Sequence, residues 1–447
     1  MFGMVRSLAG LFFWLLFLVT ASSGDWFDPE EGDLVLWAGD SITHQCGYTQ
    51  YLENFLYTRF YDKKLRFANA GIKGDDAKDL LDRFDVDVAW RKAQWATLLL
   101  GMNDGRYMPF DKENFAQYQG GVAQAVERFA SLGTRVALLS PTMFDYKQYA
   151  RRLGDPEFRF ARLNAYSGYN EKLVHYGDWL EDLATEQGLV FIDIGRTMLN
   201  ETARRRQSNP LFAFSPDSIH PDPSGMAWIA VDMAQSFAGA RKRVNHALVD
   251  LQDSGSLESD GAVRLDRIGE DGLIATITPK FLPWVLIATG SIGPEPWLYV
   301  DDPSEGFLDA LKQMPINEDS LVVRGLPSGR FQVKMNGVIV LTASDRELEQ
   351  GVSLESRINA PGYRQSLRLA ELNALRNDRA IRPHRDLQAR LKAVRRREGV
   401  DSDAFRVALE TIKVEGQLLL ERAREWEDEI HRLAIPKPYK LEIELLD

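Results

Sequence analysis

Five short, almost wholly apolar runs punctuate the chain between Asp33 and about Phe237. They occupy residues 34–38, 67–70, 96–100, 136–139 and 190–193, and the first four stop at Gly39, Gly71, Gly101 and Ser140-Pro141. Apolar runs this short, bounded by turn residues, read as strands buried on both faces. Between them apolar residues recur at helical spacing, over 51–60, 77–84, 115–132 and a longer stretch, 158–187. Strands alternating with helices specify a parallel sheet covered on both faces. Ligands of such sheets bind beyond the carboxyl ends of the strands, so the residues just after each run are the candidates for chemistry.

The pattern changes after Phe237. Residues 251–261 are polar and rich in Gly and Ser, which predicts a linker after a first domain spanning 24–250. Short β-prone runs between turn residues predict a small β-rich module over 262–345, and Asn336-Gly337 predicts a hairpin. Residues 346–447 read as a helical segment with breaks near Pro383 and Gly399, closed by an alternating strand from Tyr439 to Leu445. Leu409, Ile412, Leu419, Ala423, Trp426 and Ile430 form an apolar stripe, expected to pack against the β module.

Four turns of the first domain carry polar residues suited to acyl transfer. Gly39-Asp40-Ser41-Ile42-Thr43 follows the first run, Gly71 closes the second, and Gly101-Met102-Asn103-Asp104 follows the third. Asp217-Ser218-Ile219-His220-Pro221 precedes the last helix of the domain. Each alone is ordinary loop chemistry. Together they answer the needs of a serine hydrolase. A hydroxyl is a weak nucleophile until an imidazole takes its proton, and the imidazole needs a carboxylate to fix its tautomer. Asp217, three residues before His220, can meet that need through a turn. The tetrahedral oxyanion needs preorganised donors. The N–H groups of Ser41 and Gly71 and the amide of Asn103, all at strand ends, are candidates, and glycine at 71 would let the backbone approach a substrate closely.

These blocks, in this order, resemble the signature blocks of the SGNH, or GDSL-type, hydrolase superfamily. The resemblance spans Asp33 to Phe237 and implies a flavodoxin-like three-layer α/β/α domain. It implies Ser41 as nucleophile, His220 as general base and then acid, Asp217 as its orienter, and Ser41, Gly71 and Asn103 as the oxyanion hole. The longer run through His44 is similar to bacterial members that act on acylated sugars, and the second half, with Leu326-Pro327-Ser328-Gly329 and Asn336-Gly337, resembles that of multi-domain members. The function so implied is hydrolysis of short acyl esters, O-acetyl foremost, on poly- or oligosaccharides. A lipid esterase or thioesterase, and a catalytically silent carbohydrate-binding scaffold, are the competing readings.

Other residues are open to two readings. His44, about one helical turn after Ser41, could contact substrate or serve the helix and surface. Asp40 and Asp104 are read as turn-forming rather than catalytic, and Cys46, the only cysteine, as a buried thiol. Trp284, Trp297 and Tyr299 could stack on sugar rings or pack in a core. The histidines lack metal-ligand spacing, so neither metal nor cofactor is expected.

Composition narrows the partners. A net charge of -11 gives the chain no reason to seek nucleic acid or an anionic membrane surface. Arg6, the apolar run 8–19 and Ala21-Ser22-Ser23 predict a secretory signal peptide over 1–23, with an uncleaved anchor as the competing reading. The expected location is therefore periplasmic or extracellular, and the expected partner an acylated small molecule or glycan. Oligomeric state is not legible.

Overall fold

Side chains alternate across β1 (Leu34–Gly39), so that Val35 and Trp37 enter one core while Leu36 and Ala38 enter the other. With β2 (Arg66–Gly71), β3 (Trp95–Leu99), β4 (Arg135–Leu139) and β5 (Val190–Ile192) it forms a parallel sheet ordered β2-β1-β3-β4-β5. This computed structural model describes residues 26–239, 241–252, 256–269, 272–286 and 315–446. The expected signal peptide, Trp297 and Tyr299 lie outside them. Eight helices surround the sheet: α1 (Ser41–His44), α2 (Gly47–Arg59), α3 (Ala77–Arg83), α4 (Lys112–Ser131), α5 (Tyr146–Arg152), α6 (Tyr169–Gln187), α7 (Ile194–Arg205) and α8 (Pro223–Ala238). Apolar residues of α2, α7 and α8 cover one face, those of α3, α4 and α6 the other. The flavodoxin-like three-layer α/β/α architecture is thus present. Strand order reverses at β1, with β2 on one side and β3 on the other, and a crevice opens at such a switch point. Ser41 follows β1 and Asn103 follows β3.

One predicted helix is shorter than its sequence pattern. The run 158–187 becomes helical only at Tyr169, and 158–168 form turns with a single 3-10 turn at Ala161–Leu163. Phe158 packs on Tyr149 and Phe160 on His220, each at 5.8 Å between ring centroids, so tertiary contacts draw these aromatics away from a helical face.

A β-sandwich follows. Its strands are β6 (Asn245–Asp250), β7 (Ser256–Ser259), β8 (Ala262–Gly269), β9 (Gly272–Thr278), β10 (Asp319–Arg324), β11 (Arg330–Met335), β12 (Val338–Ser344), β13 (Val352–Ser353) and β14 (Tyr439–Leu445). They form two sheets, β13-β10-β6-β7 and β12-β11-β14-β9-β8. Ala247, Val249, Leu321 and Val323 from the first meet Ala275, Ile277, Phe331, Val333, Leu441 and Ile443 from the second in one core. Asn336 and Gly337 turn the β11–β12 hairpin with φ of 49° and 77°, as a type I′ turn demands. The linker expected at 251–261 is corrected: Ser256–Ser259 is a strand paired antiparallel with β6, which itself starts inside the expected first domain. Its polar composition suits an edge strand, which is how it escaped notice.

The last helices are α9 (Asp345–Gln350), α10 (Pro361–Arg376), α11 (Arg382–Glu398), α12 (Asp403–Thr411) and α13 (Gln417–Leu433). No break occurs at Pro383, because the helix widens to a π turn over Asn377–Ile381 and runs on into α11. The expected packing of the apolar stripe on the β module is also corrected. Leu369, Leu372 and Ile430 join the core beneath α2 and α8 of the α/β domain, and Ala423 and Trp426 cluster with Cys46. Polar partners fix that choice. Buried Glu427 on α13 accepts from Tyr57 Oη at 3.0 Å and pairs with Arg66 at 3.0 Å and Arg376 at 3.1 Å. Trp284 packs on Phe55 at 5.1 Å and donates to the Tyr51 carbonyl at 2.9 Å, so it is a core residue and presents no face to a sugar. Among the described residues no helix is long and apolar enough to cross a membrane.

Candidate active site

The sheet delivers Ser41 directly. β1 ends at Gly39, and the Asp40 carboxylate caps the next helix by accepting from Ile42 N at 2.9 Å. Ser41 is the first residue of α1, where backbone N–H groups have no acceptor within the helix. Helix α1 stops at His44, and Cys46, at φ 62°, turns the chain into α2. Cys46 therefore does not share the Ser41 helix. Burial pushes its thiol pKa up to about 12, so it stays protonated and inert.

The imidazole arrives from the loop before α8. Ser218, at φ 82°, turns that loop, and its carbonyl accepts from Asp145 N at 2.8 Å. Asp217 Oδ1 accepts from the backbone N–H of Ile219 at 3.0 Å and of His220 at 2.7 Å. Its Oδ2 faces His220 Nδ1 at 2.7 Å, and His220 Nε2 lies 2.9 Å from Ser41 Oγ. Burial alone would raise the Asp217 pKa, but the His220 ring and the two backbone donors outweigh it and hold the carboxyl below its usual range. An ionised carboxylate at Nδ1 keeps the ring proton there, which leaves Nε2 as an acceptor toward Ser41.

The expected donors divide. Asn103 Nδ2, at the wall of the cleft beside Ser41, commits one hydrogen to the Asp75 carbonyl at 2.9 Å, while the other makes only a long contact of 3.4 Å with Asp40 Oδ2 that a substrate oxygen could replace. Asp104 fixes this loop, accepting from Gly101 N at 2.9 Å and Ala77 N at 2.8 Å. Gly71 is corrected. Its N–H is spent on Asn69 Oδ1 at 2.8 Å, and a methyl there would collide with the backbone N of His44. Glycine at 71 serves close packing of β2 on α1. The glycine at the cleft is Gly74, at φ 69° with open space around its Cα. Ser41, Gln45, Lys73, Gly74, Asn103, Tyr107, Phe160 and His220 are among the walls of a cavity of about 120 Å³.

Comparison with known proteins meets this geometry. Residues 38–228 match the GDSL-like Lipase/Acylhydrolase family. This domain belongs to the SGNH, or GDSL-type, hydrolase superfamily. The protein is accordingly an ester-hydrolysing enzyme. An acetylxylan esterase of Geobacillus stearothermophilus is 24% identical over 216 residues, covering 43% of this chain and 89% of that protein. A gut microbial diltiazem-metabolizing enzyme shares the fold across nearly the whole molecule, with a TM-score of 0.79, 20% identity, and coverage of 95% of this chain and 100% of that one. The β-sandwich and C-terminal helices are thus part of an architecture found elsewhere with this arrangement.

Within the GDSL-type domain, His44 does not reach the cleft, contrary to its expected contact with substrate. It is buried, and its Nε2 lies 3.1 Å from Asp386 Oδ1 on α11. The α1 helix is only four residues long, so His44 points beneath the nucleophile rather than beside it. Among the described residues no cluster of His, Cys, Asp or Glu is arranged to hold a metal ion. Sequence reading passed over Gly74, Lys73, Tyr107, Arg159 and Phe160 at the cleft. Only Gly74 carried a legible signal, as the first glycine after β2 and just before Asp75-Asp76.

Proposed function

We propose that this esterase removes short acyl groups, acetyl foremost, from acylated sugars through an acyl-enzyme formed on Ser41. The observation that carries the reading is the unbroken run of hydrogen-bonding distances, Asp217 Oδ2 to His220 Nδ1 at 2.7 Å and His220 Nε2 to Ser41 Oγ at 2.9 Å. His220 takes the Ser41 proton as Oγ attacks the ester carbonyl carbon. Negative charge moves to the carbonyl oxygen, where the Ser41 and Gly74 N–H groups and Asn103 Nδ2 are the donors we assign. Gly74 takes the part that the sequence pattern gave to Gly71. His220 then returns the proton to the departing sugar hydroxyl, which leaves the acyl group on Ser41. A water, deprotonated by the same imidazole, attacks that ester and regenerates the enzyme.

Two observations support a short acyl group on a sugar. The cavity at Ser41 holds about 120 Å³ and is walled by Tyr107, Phe160 and Ile219 as well as by polar Gln45, Lys73 and Arg159. The relative named for acetylxylan supplies the sugar. Export, with residues 1–23 as leader, would put the enzyme where polymeric glycans are met. The test is acetate release from acetylated xylo-oligosaccharides and other acetylated glycans, by wild type and Ser41→Ala. Activity that climbs with acyl chain length on simple esters and is absent on every acetylated glycan refutes the sugar assignment.

A further inference from the structure

The loop between β2 and α3 supplies Lys73 and Gly74 to the cleft. Ile72 N donates to the Gly39 carbonyl at 3.1 Å and Asp75 N to the Ile72 carbonyl at 3.2 Å. Further support comes from side chains of other elements, one of them more than three hundred residues downstream. Lys392 Nζ on α11 lies 2.6 Å from Asp75 Oδ1 and 3.3 Å from the Lys73 carbonyl, so one ammonium brackets Gly74 on both sides. The other Asp75 oxygen accepts from Arg83 Nε at 2.7 Å, and the same guanidinium donates to the Ala70 carbonyl at 2.7 Å, near the end of β2. The Asp75 carbonyl in turn accepts from Asn103 Nδ2 at 2.9 Å. A single residue, Asp75, thereby ties α11 to two of the assigned oxyanion donors.

The same helix braces the nucleophile. Asp386 Oδ1 lies 3.1 Å from His44 Nε2, on the last residue of the four-residue helix that begins with Ser41. Arg382 donates to the Gln45 carbonyl at 3.2 Å. Between these ends Arg385 grips Asp87 with two hydrogen bonds of 2.6 and 2.8 Å, both side chains fully buried. Buried ion pairs are weak sources of net stability, because desolvation offsets their attraction. What they do well is hold atoms in one arrangement, and acyl transfer is steeply sensitive to arrangement.

We propose that α11 is a positioning element of the catalytic centre, in which Lys392 sets the oxyanion loop and Asp386 sets the helix that carries Ser41. The proposal rests on the esterase mechanism above and assigns a function to the C-terminal helices. It makes Lys392 and Asp386 positioning residues, acting through Asp75 and His44, neither of which touches the substrate.

The experiment uses the full chain with p-nitrophenyl acetate, and counts competent sites by titration with a serine-reactive phosphonate. Wild type against Ser41→Ala first tests the mechanism itself: turnover surviving in Ser41→Ala sinks that reading, separately from this one. Lys392→Met, which keeps the stem and removes the charge, should lower kcat per titrated site by about tenfold to a hundredfold with KM little changed. Lys392→Arg should recover most of the loss, which a general loss of packing would not allow. Asp386→Ala, at a half-exposed site, should lower kcat about fivefold and decides the matter if Lys392→Met does not fold. Arg397→Ala, on the same helix but exposed and paired only with its neighbour Glu398 among the described contacts, should leave kcat unchanged. The proposal is overturned if Lys392→Met and Asp386→Ala keep kcat within about twofold of wild type, or if Arg397→Ala falls as far as they do.

Discussion

Replacing Asp217 by Asn isolates the electrostatic part of the catalytic arrangement with little change of shape. Asp217 accepts three hydrogen bonds, at 2.7 and 3.0 Å from backbone N–H groups on Oδ1 and at 2.7 Å from His220 Nδ1 on Oδ2. In Asp217→Asn the amide oxygen can keep the two backbone donors, which places the NH₂ group opposite His220 Nδ1. That ring nitrogen must then accept, so the ring proton moves to Nε2 and points at Ser41 Oγ, only 2.9 Å away. The imidazole can no longer take the serine proton. A wrong tautomer of this kind costs about 10⁴ in kcat, which corresponds to about 5.5 kcal/mol of transition-state stabilisation. Fold stability should suffer far less, by about 1–2 kcal/mol, since the loop keeps most of its hydrogen bonds. The assay is kcat and KM on p-nitrophenyl acetate, with thermal unfolding in parallel. In wild type the Asp217 carboxyl is held below the usual carboxylate range, so it is ionised where the assay is run. A kcat for Asp217→Asn within about tenfold of wild type, at unchanged stability, would refute the tautomer argument.

Four other outcomes follow from the same geometry. Asn103→Ala should lower kcat by about a hundredfold with a smaller effect on KM, as measured on the same ester, because one oxyanion donor is lost. Gly71→Ala should depress melting temperature and activity together, since the added methyl meets the His44 backbone N and displaces the nucleophile helix. Asp222, which caps α8, has its pKa pushed up to about 7 by burial, so between about pH 4 and pH 7 the folded state holds a proton that the unfolded state has released. Its contribution to stability is therefore lost as pH rises through that window; Asp222→Asn, which still caps, should remove up to about 1.4 kcal/mol per pH unit of that slope in urea unfolding. Glu427→Ala takes one of two carboxylates from buried Arg376, which keeps Glu53 at 3.3 Å, and leaves Tyr57 Oη without its acceptor, so it should cost about 1–3 kcal/mol in urea unfolding while leaving the Ser41–His220 spacing intact.

The α/β layer was legible because its strands are short, almost wholly apolar runs, the first four ended by glycine or Ser-Pro, and because strand ends are where such sheets carry chemistry. Ser41, Asn103, Asp217 and His220 sit in turns whose residue types already satisfy acyl transfer. The hole's glycine was not legible at the right position. Gly71 and Gly74 are three residues apart, and hydrophobic pattern marks where β2 stops without showing which N–H is already spent on Asn69. The apolar stripe of α13 showed that this helix buries a face, but periodicity carries no address. The partner is set by Glu427 meeting Tyr57, Arg66 and Arg376, three residues scattered over more than three hundred positions. His44 failed for a similar reason. Spacing after Ser41 gave its angle on a helix, whereas the partner that buries it, Asp386, comes from the far end of the chain.

The account depends on Ser41 being the atom donor to the acyl-enzyme, activated by His220. The direct measurement is mass-spectrometric mapping of the adduct left by a fluorophosphonate, with its rate of formation followed in wild type, Ser41→Ala and His220→Ala. A single adduct on Ser41, absent in Ser41→Ala and formed at least about a hundredfold more slowly in His220→Ala, is the predicted result. An adduct on another residue, together with ester hydrolysis that persists in Ser41→Ala, would contradict it.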